Sequence, residues 1–341
     1  MVETVLQRTI TRAERQEFAR RRFLLPGALL MAVLALYAVL LLLILSLPTA
    51  FAALLTVPCG MAIGMLFIIG HDACHNAYTA STRLNQVIGR IALLPALHAF
   101  SLWDLAHNRT HHRYNNIRGL DYVWEPMTQE TYRAASWPRR ALYRLCRTPA
   151  GVGLYYLVQI WAPRLALPLP GFIDRMRATY AADAALVVSF LALQLWAVTA
   201  LGGMFGKPTW ESVFLGVAIP FLVWNAFMSF VIFLHHTHPS VRWYPSIAAW
   251  RADRGALQGT TRVRFPWPFG PLVLSIMEHN AHHQAPGVPL YNLPHMQRML
   301  EEQSPLVTWN FSRRAYLRIC RRCKLYDYAA GRWVAFDGEA A

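Results

Sequence analysis

The chain is 341 residues long, 55% hydrophobic and only 15% charged, which argues against an ordinary soluble enzyme and suits a protein that lives in a bilayer. Its formal net charge is nonetheless +15, almost all of the positive charge being arginine. An apolar body with a basic remainder predicts an integral membrane protein with its positive residues on one side, and with the lipid bilayer, not nucleic acid, as partner.

Residues 1–23 are polar and basic (Arg8, Arg12, Arg15, Arg20, Arg21 and Arg22 among them). They predict a cytoplasmic end with a short interfacial helix. A first span is expected over 24–47 and a second over 51–70, joined by Pro48-Thr49-Ala50 into a tight hairpin. That hairpin returns the chain to its starting side at His71. Residues 87–100 are apolar but short for a span, and predict a re-entrant or interfacial helix. Residues 113–150 mix arginines with aromatics (Arg133, Arg139, Arg140, Arg144, Arg147; Tyr132, Trp137, Tyr143) and predict a cytoplasmic segment lying on lipid headgroups. Residues 151–169 again suit an interface better than a span. Two further spans are expected over 183–204 and 212–234, the second kinked at Pro220. The turn between them holds only Lys207 for charge.

No internal repeat or low-complexity linker is found, so 1–341 reads as one domain. The expected fold is an all-α integral membrane protein. Four transmembrane helices form two hairpins, accompanied by interfacial helices and capped by a cytoplasmic domain made from 71–182 and 235–341. Arginine-heavy, lysine-poor composition suggests a bacterial inner membrane with the functional site on the cytoplasmic face. No cleavable signal peptide is expected. Five scattered cysteines without a secreted framework predict free thiols in a reducing compartment. Cys320-Arg321-Arg322-Cys323 lacks a partner pair and reads as two incidental thiols.

The histidines are clustered. Eleven of the 13 fall in four patches, His71 to His75, His107 to His112, His235 to His238 and His279 to His283; His98 and His295 stand apart as interfacial and surface residues. Residues i and i+4 share a helical face. His71 and His75 can therefore aim at one point, and so can His107 and His111, with His112 turned to the side of that face. His279, His282 and His283 (i, i+3, i+4) are expected on one face. Imidazole is a good ligand for iron, copper, zinc and nickel. Two, three, one and three histidines from the four patches make about nine ligands, too many for one tetrahedral ion, which predicts a dinuclear site.

The set H-x-x-x-H, H-x-x-x-H-H and H-x-x-H-H resembles the membrane fatty acid desaturase family, most closely its acyl-lipid omega-6 (delta-12) type, over roughly residues 25–300. Flanking residues fit as well. Gly70 to His75 is similar to the first box, with Cys74 where the family has a small residue. Trp103 precedes box two as an aromatic does, and Asp121 follows Asn115-Asn116. Leu234-His235-His236-Thr237-His238-Pro239 looks like the Q-H-T-H-P element, with His235 in place of glutamine.

The resemblance implies a di-iron centre, two iron ions held by His71, His75, His107, His111, His112, His236, His279, His282 and His283, with dioxygen as co-substrate. His235 and His238 compete with His236 for its place. Asp72 and Asp121 are implied as partners that fix an imidazole tautomer. Cys74, close to the metal-facing side, is positioned to tune or endanger the site under oxidation. The implied reaction places a double bond in a fatty acyl chain held as a lipid or an acyl thioester. No flavin-binding, haem-binding or Gly-rich dinucleotide segment is visible, so two electrons per cycle are expected from a separate donor, a ferredoxin-like carrier with its reductase.

A membrane hydroxylase, an acetylenase or a carotenoid ketolase would use the same boxes. A bis-histidine haem carrier would place single histidines inside the spans, and a metal transporter would need ionisable residues at mid-membrane depth; neither pattern is present. Arginines around 133–147 and 313–322 have two readings. They steer an acidic donor or acyl carrier, or they only obey the positive-inside rule and meet anionic lipid.

Overall fold

Four stretches are apolar on every side, the pattern of a helix surrounded by lipid. They form helices Leu25–Ser46, Thr49–Cys74, Ala178–Met204 and Thr209–His236, of 22, 26, 27 and 28 residues. A spanning helix needs about 20. The computed structural model describes residues 10–253, 255–304 and 306–340. Of the basic N-terminus, Arg8 lies outside the described residues, and Arg12–Phe18 forms a short helix closed by a capping box between Thr11 and Glu14.

The four helices match the expected spans, with shifted ends. The second continues through box one, so His71 lies on its last turn and His75 caps it. The third begins at Ala178 rather than 183. The fourth does not simply kink at Pro220. It widens into a π-helical stretch, Phe214–Ala218, just before that proline, and then runs as α-helix to His236.

The chain forms two compact units, each assembled from separate stretches. One comprises Arg21–Ala106 and Tyr156–Met228 and holds the long helices up to Met228. Polar residues fasten its ends. Thr49 donates from its hydroxyl to Glu211 at 2.7 Å, and Lys207 pairs with the same carboxylate at 2.7 Å. Arg90 pairs with the buried Asp183 at 2.7 Å, and Asp183 also accepts the Ser101 N–H. Arg90 belongs to helix Thr82–Leu93, which starts earlier than expected and is amphipathic. It buries Asn85, Ile88 and Ala92 and exposes Leu84, Val87 and Ile91, the stripe of a helix lying in an interface. Residues 151–169 do not form a long helix. They form a 3₁₀ turn, Gly151–Leu154, and a π-helical segment, Tyr156–Leu165.

The other unit comprises Met1–Arg20, His107–Tyr155 and Ser229–Ala341. Here the all-α expectation needs correction. Among the described residues, Arg262–Arg264 pairs in parallel with Thr308–Asn310, and Leu325–Asp327 pairs antiparallel with Arg332–Val334. Strands of three residues are too short for an alternating pattern to register in sequence. Arg147 also departs from its expected place at the headgroups. It is 2% exposed, donates to the carbonyls of Trp124 and Glu125, and stacks over Tyr143 at 4.5 Å.

Gly60 marks a close approach between two of the long helices. A Cβ there would stand 2.6 Å from Val223 Cγ1 and 2.8 Å from the Pro220 carbonyl. Gly60→Ala should therefore lower stability by about 1–3 kcal/mol through overpacking. Gly203→Ala, which meets nothing within 4 Å, should stay within about 0.5 kcal/mol. Thermal melting in one detergent compares the two.

Candidate metal centre

Box two departs from the α-helix that its spacing suggests. Leu105–His111 is π-helical, with His112 opening the α-turn that follows. In a π-helix the repeat is i to i+5, so His107 meets His112 rather than His111. Their Nε2 atoms are 3.0 Å apart. His111 points elsewhere. The expectation that His107 and His111 share one target, with His112 aside, is thus reversed.

Box three also divides. Helix His279–Gln284 is fully buried along its three histidines. His282 turns toward His112, Nε2 to Nε2 at 3.0 Å. His283 and His279 turn to each other at 3.0 Å, and His279 meets His236 at 3.1 Å. His111 closes this second group, its ring centroid 4.7 Å from that of His236 and 5.0 Å from that of His283. The ligand atoms of His111, His236, His279 and His283 all lie within 4.8 Å of one another, and all four residues are buried. Within this unit His107, His112 and His282 make one cluster and these four make another. Neighbouring histidines on a helix point about 100° apart, which is how two short boxes supply two clusters.

The remaining predicted histidines are placed as follows. His71 and His75, in the other unit, stand with ring centroids 4.8 Å apart, His71 also lying 6.2 Å from Trp103. Of the three competitors in the fourth patch, only His236 enters a cluster. His235 stacks flat on His279 at 3.8 Å, and His238 accepts the Ser240 N–H and stacks on Trp309. His98 is not interfacial. It is buried, with Nδ1 against the Ala96 carbonyl and Nε2 against the Tyr156 hydroxyl, both at 2.7 Å.

The donor set fits a cation. His279 Nε2 faces two other Nε2 atoms, and His112 Nε2 does the same. One N–H can lie along only one of those lines, so the other contact sets like against like. A metal ion between the nitrogens satisfies them all. At a metal–nitrogen distance of about 2.1 Å, ligands at right angles stand about 3 Å apart, as these do. Burial, and then neighbouring imidazoles, hold His279 and His283 well below the usual histidine range. They are therefore neutral, the form that binds metal.

Asp121 fixes one ring. Its carboxylate, fully buried, meets His111 Nδ1 at 3.0 and 3.1 Å and accepts the N–H groups of Asn116 and Val123. The proton is thereby kept on Nδ1, and Nε2 is left to the cluster. Asp72 is buried on the last turn of Thr49–Cys74, beside Cys74, which is also buried.

Several supports escaped the sequence. Gln297 accepts the Ala281 N–H, and Asn280 donates to Thr260, which together fix box three. Arg262 binds both Glu278, the residue before His279, and Glu301. The one available signal was Gln297 itself, a polar residue in the apolar stripe Leu293, Met296, Leu300. Cys320 and Cys323 are buried and belong to neither cluster. Burial raises the Cys320 and Cys146 thiols to about 11 and pushes Cys323 up as well.

The fatty acid desaturase family model matches residues 46–315. The chain is 29% identical to the sn-1 oleoyl-lipid 12-desaturase of Synechocystis sp. over 271 residues, 79% of this chain and 74% of the relative. It is 26% identical over 283 residues to the chloroplastic omega-6 fatty acid desaturase of Brassica napus, and likewise to that of Arabidopsis thaliana, covering 82% of this chain. The matched region spans 60% of each plant protein.

Asp121→Asn should keep the fold and weaken metal binding about 10–100-fold, the usual cost of losing a carboxylate behind a ligating histidine; chelator competition measures it. Cys146, Cys320 and Cys323 should resist iodoacetamide at about pH 8 in the folded protein, because the thiolate is the reactive form, and should label after unfolding. Mass spectrometry reads both states.

Proposed function

The chain belongs to the fatty acid desaturase family, an oxidoreductase family that introduces double bonds into fatty acyl chains, and we propose that it acts on a lipid-bound monounsaturated chain. The support for that substrate is that relatives from Synechocystis and Picosynechococcus are sn-1 oleoyl-lipid 12-desaturases. The position of the new bond in our reading is the delta-12 (omega-6) position.

The single observation that carries the mechanism is the pair of converging imidazole clusters. We read them as the seat of two iron ions. His111, His236, His279 and His283 hold one. His107, His112 and His282 hold the other, completed by His71 and His75, whose i, i+4 spacing and place in box one support the assignment. When bound, the irons supply the oxidising power, with dioxygen, that an unactivated methylene requires and no side chain offers. Dioxygen, two hydrogens from adjacent carbons, two external electrons and two protons yield one double bond and two waters.

The protein's own residues do the rest. Asp121 holds the His111 tautomer. The Arg262–Glu278 pair and Gln297 keep box three rigid. Burial keeps the His279 and His283 rings neutral. An acyl chain must then be presented with one carbon pair at the centre, a matter of positioning.

The protein is a membrane protein. Two helical hairpins with a cytoplasmic cap, in a bacterial inner membrane, are our reading of its topology, supported by the short Leu47-Pro48 link and by the arginine-rich segments flanking the long helices. We treat the chain as one catalytic domain, since each unit supplies histidines of the proposed set. A ferredoxin-like carrier is the proposed donor.

Expression in a bacterium lacking desaturases, with a ferredoxin and its reductase, should give acyl chains lighter by two hydrogens, the bond placed by fragmentation. His282→Ala and an oxygen-free culture should abolish the change. A gain of one oxygen would instead mark a hydroxylase. Metal analysis should find two irons per chain, falling to one in His71→Ala/His75→Ala.

A further inference from the structure

Two basic helices stand out in the unit that holds both buried clusters, and they differ in what surrounds their arginines. Helix Trp137–Cys146 carries Arg139, Arg140 and Arg144. It also exposes Trp137 (75%), Leu142 (37%) and Leu145 (46%). Basic residues beside exposed aromatic and aliphatic ones are the signature of a helix that lies in a lipid interface.

Helix Arg313–Arg322 exposes no large apolar residue of its own. Its exposed residues are Arg313, Arg314, Arg318, Arg321 and Arg322. Among the described residues after Leu272, no large apolar side chain is exposed. Arg314, Arg318, Arg321 and Arg322 line a shallow groove of about 390 Å³ with Leu317. Among the described residues none of these arginines pairs with a carboxylate. A groove lined by four arginines, on a helix that exposes no large apolar side chain of its own, matches a soluble acidic partner rather than acyl chains.

The inner face of the same helix leads to a cluster. Tyr316 packs against Phe230 at 5.4 Å and Phe233 at 6.1 Å. Phe233 lies one helical turn before His236. It also meets Trp124, at 4.8 Å. Packed rings thus lead from the arginine helix to within one helical turn of a proposed iron ligand. Such a run is of no use to a lipid headgroup and of direct use to an electron.

We propose that the groove on helix Arg313–Arg322 is the docking site of the electron donor, a small acidic one-electron carrier protein. The inference rests on the desaturase reading and adds a place to it. Each docking event oxidises the carrier by one electron and passes that electron inward beside Tyr316 and Phe233. Two events supply the two electrons of one turnover. Helix Trp137–Cys146 is left to the lipid surface, so the two arginine groups have different partners.

The test is donor binding to the full chain in lipid nanodiscs, with a plant-type ferredoxin as probe, which needs no turnover. Arg318→Glu/Arg321→Glu should raise the dissociation constant about tenfold or more and flatten its salt dependence. Arg318→Lys/Arg321→Lys should keep most of the affinity, and Arg139→Glu/Arg140→Glu should leave it unchanged. Equal melting temperatures guard against misfolding. Unchanged binding in Arg318→Glu/Arg321→Glu, or equal loss in both reversals, would overturn the proposal. So would a fall in melting temperature of Arg318→Glu/Arg321→Glu confined to discs of anionic lipid, which would assign the groove to headgroups. Failure of the desaturase reading would appear separately, as unaltered acyl chains in the expression experiment.

Discussion

Imidazole nitrogens held 3.0–3.1 Å apart in a buried pocket repel one another unless a proton or a cation stands between them, and one proton cannot serve a nitrogen that faces two others. Much of the design of the unit that carries these histidines follows from that constraint. The His279 and His283 rings are buried, and burial keeps them neutral. Rings must keep one tautomer, so a buried carboxylate with three hydrogen-bond donors stands behind His111. The backbone must not relax, so Gln297, Thr260 and Arg262 bind the segment that carries box three. Each of these costs stability if the cation is absent, because buried polar groups are expensive when their partners are incomplete.

The helical unit answers a different demand. Its long helices are apolar all round, and lipid is the environment in which that is stable. What specificity they have comes from a few small or polar points. Gly60 lets two helices touch, and Glu211 gathers Thr49 and Lys207. The Arg90–Asp183 pair ties the amphipathic helix to the start of the third span. Basic charge is likewise not one property. On Trp137–Cys146 it accompanies exposed apolar residues, on Arg313–Arg322 it stands alone, and at Arg147 it is buried under aromatic rings. Composition counts all three as arginine, and only their neighbours distinguish them.

The four long apolar helices and the histidine boxes were legible in the chain. Apolar length and residue spacing are local properties, and the bilayer rewards them locally. The short strands were not legible, because three residues carry no period. The buried place of His98 was not legible either, since it depends on Tyr156, distant in sequence.

The sequence by itself determined that this is a membrane protein with its histidines delivered in boxes, because hydropathy and i, i+4 spacing belong to the segments themselves. Only the tertiary structure decided how the boxes are shared. His107 joins His112 because the backbone widens to a π-helix there. His282 and His283 serve different clusters because adjacent residues of a helix diverge. His236 is chosen over His235 and His238 because the last turn of its helix aims that ring, and not its neighbours, at His279. Those choices depend on where a distant segment stands, and spacing along one segment cannot encode it.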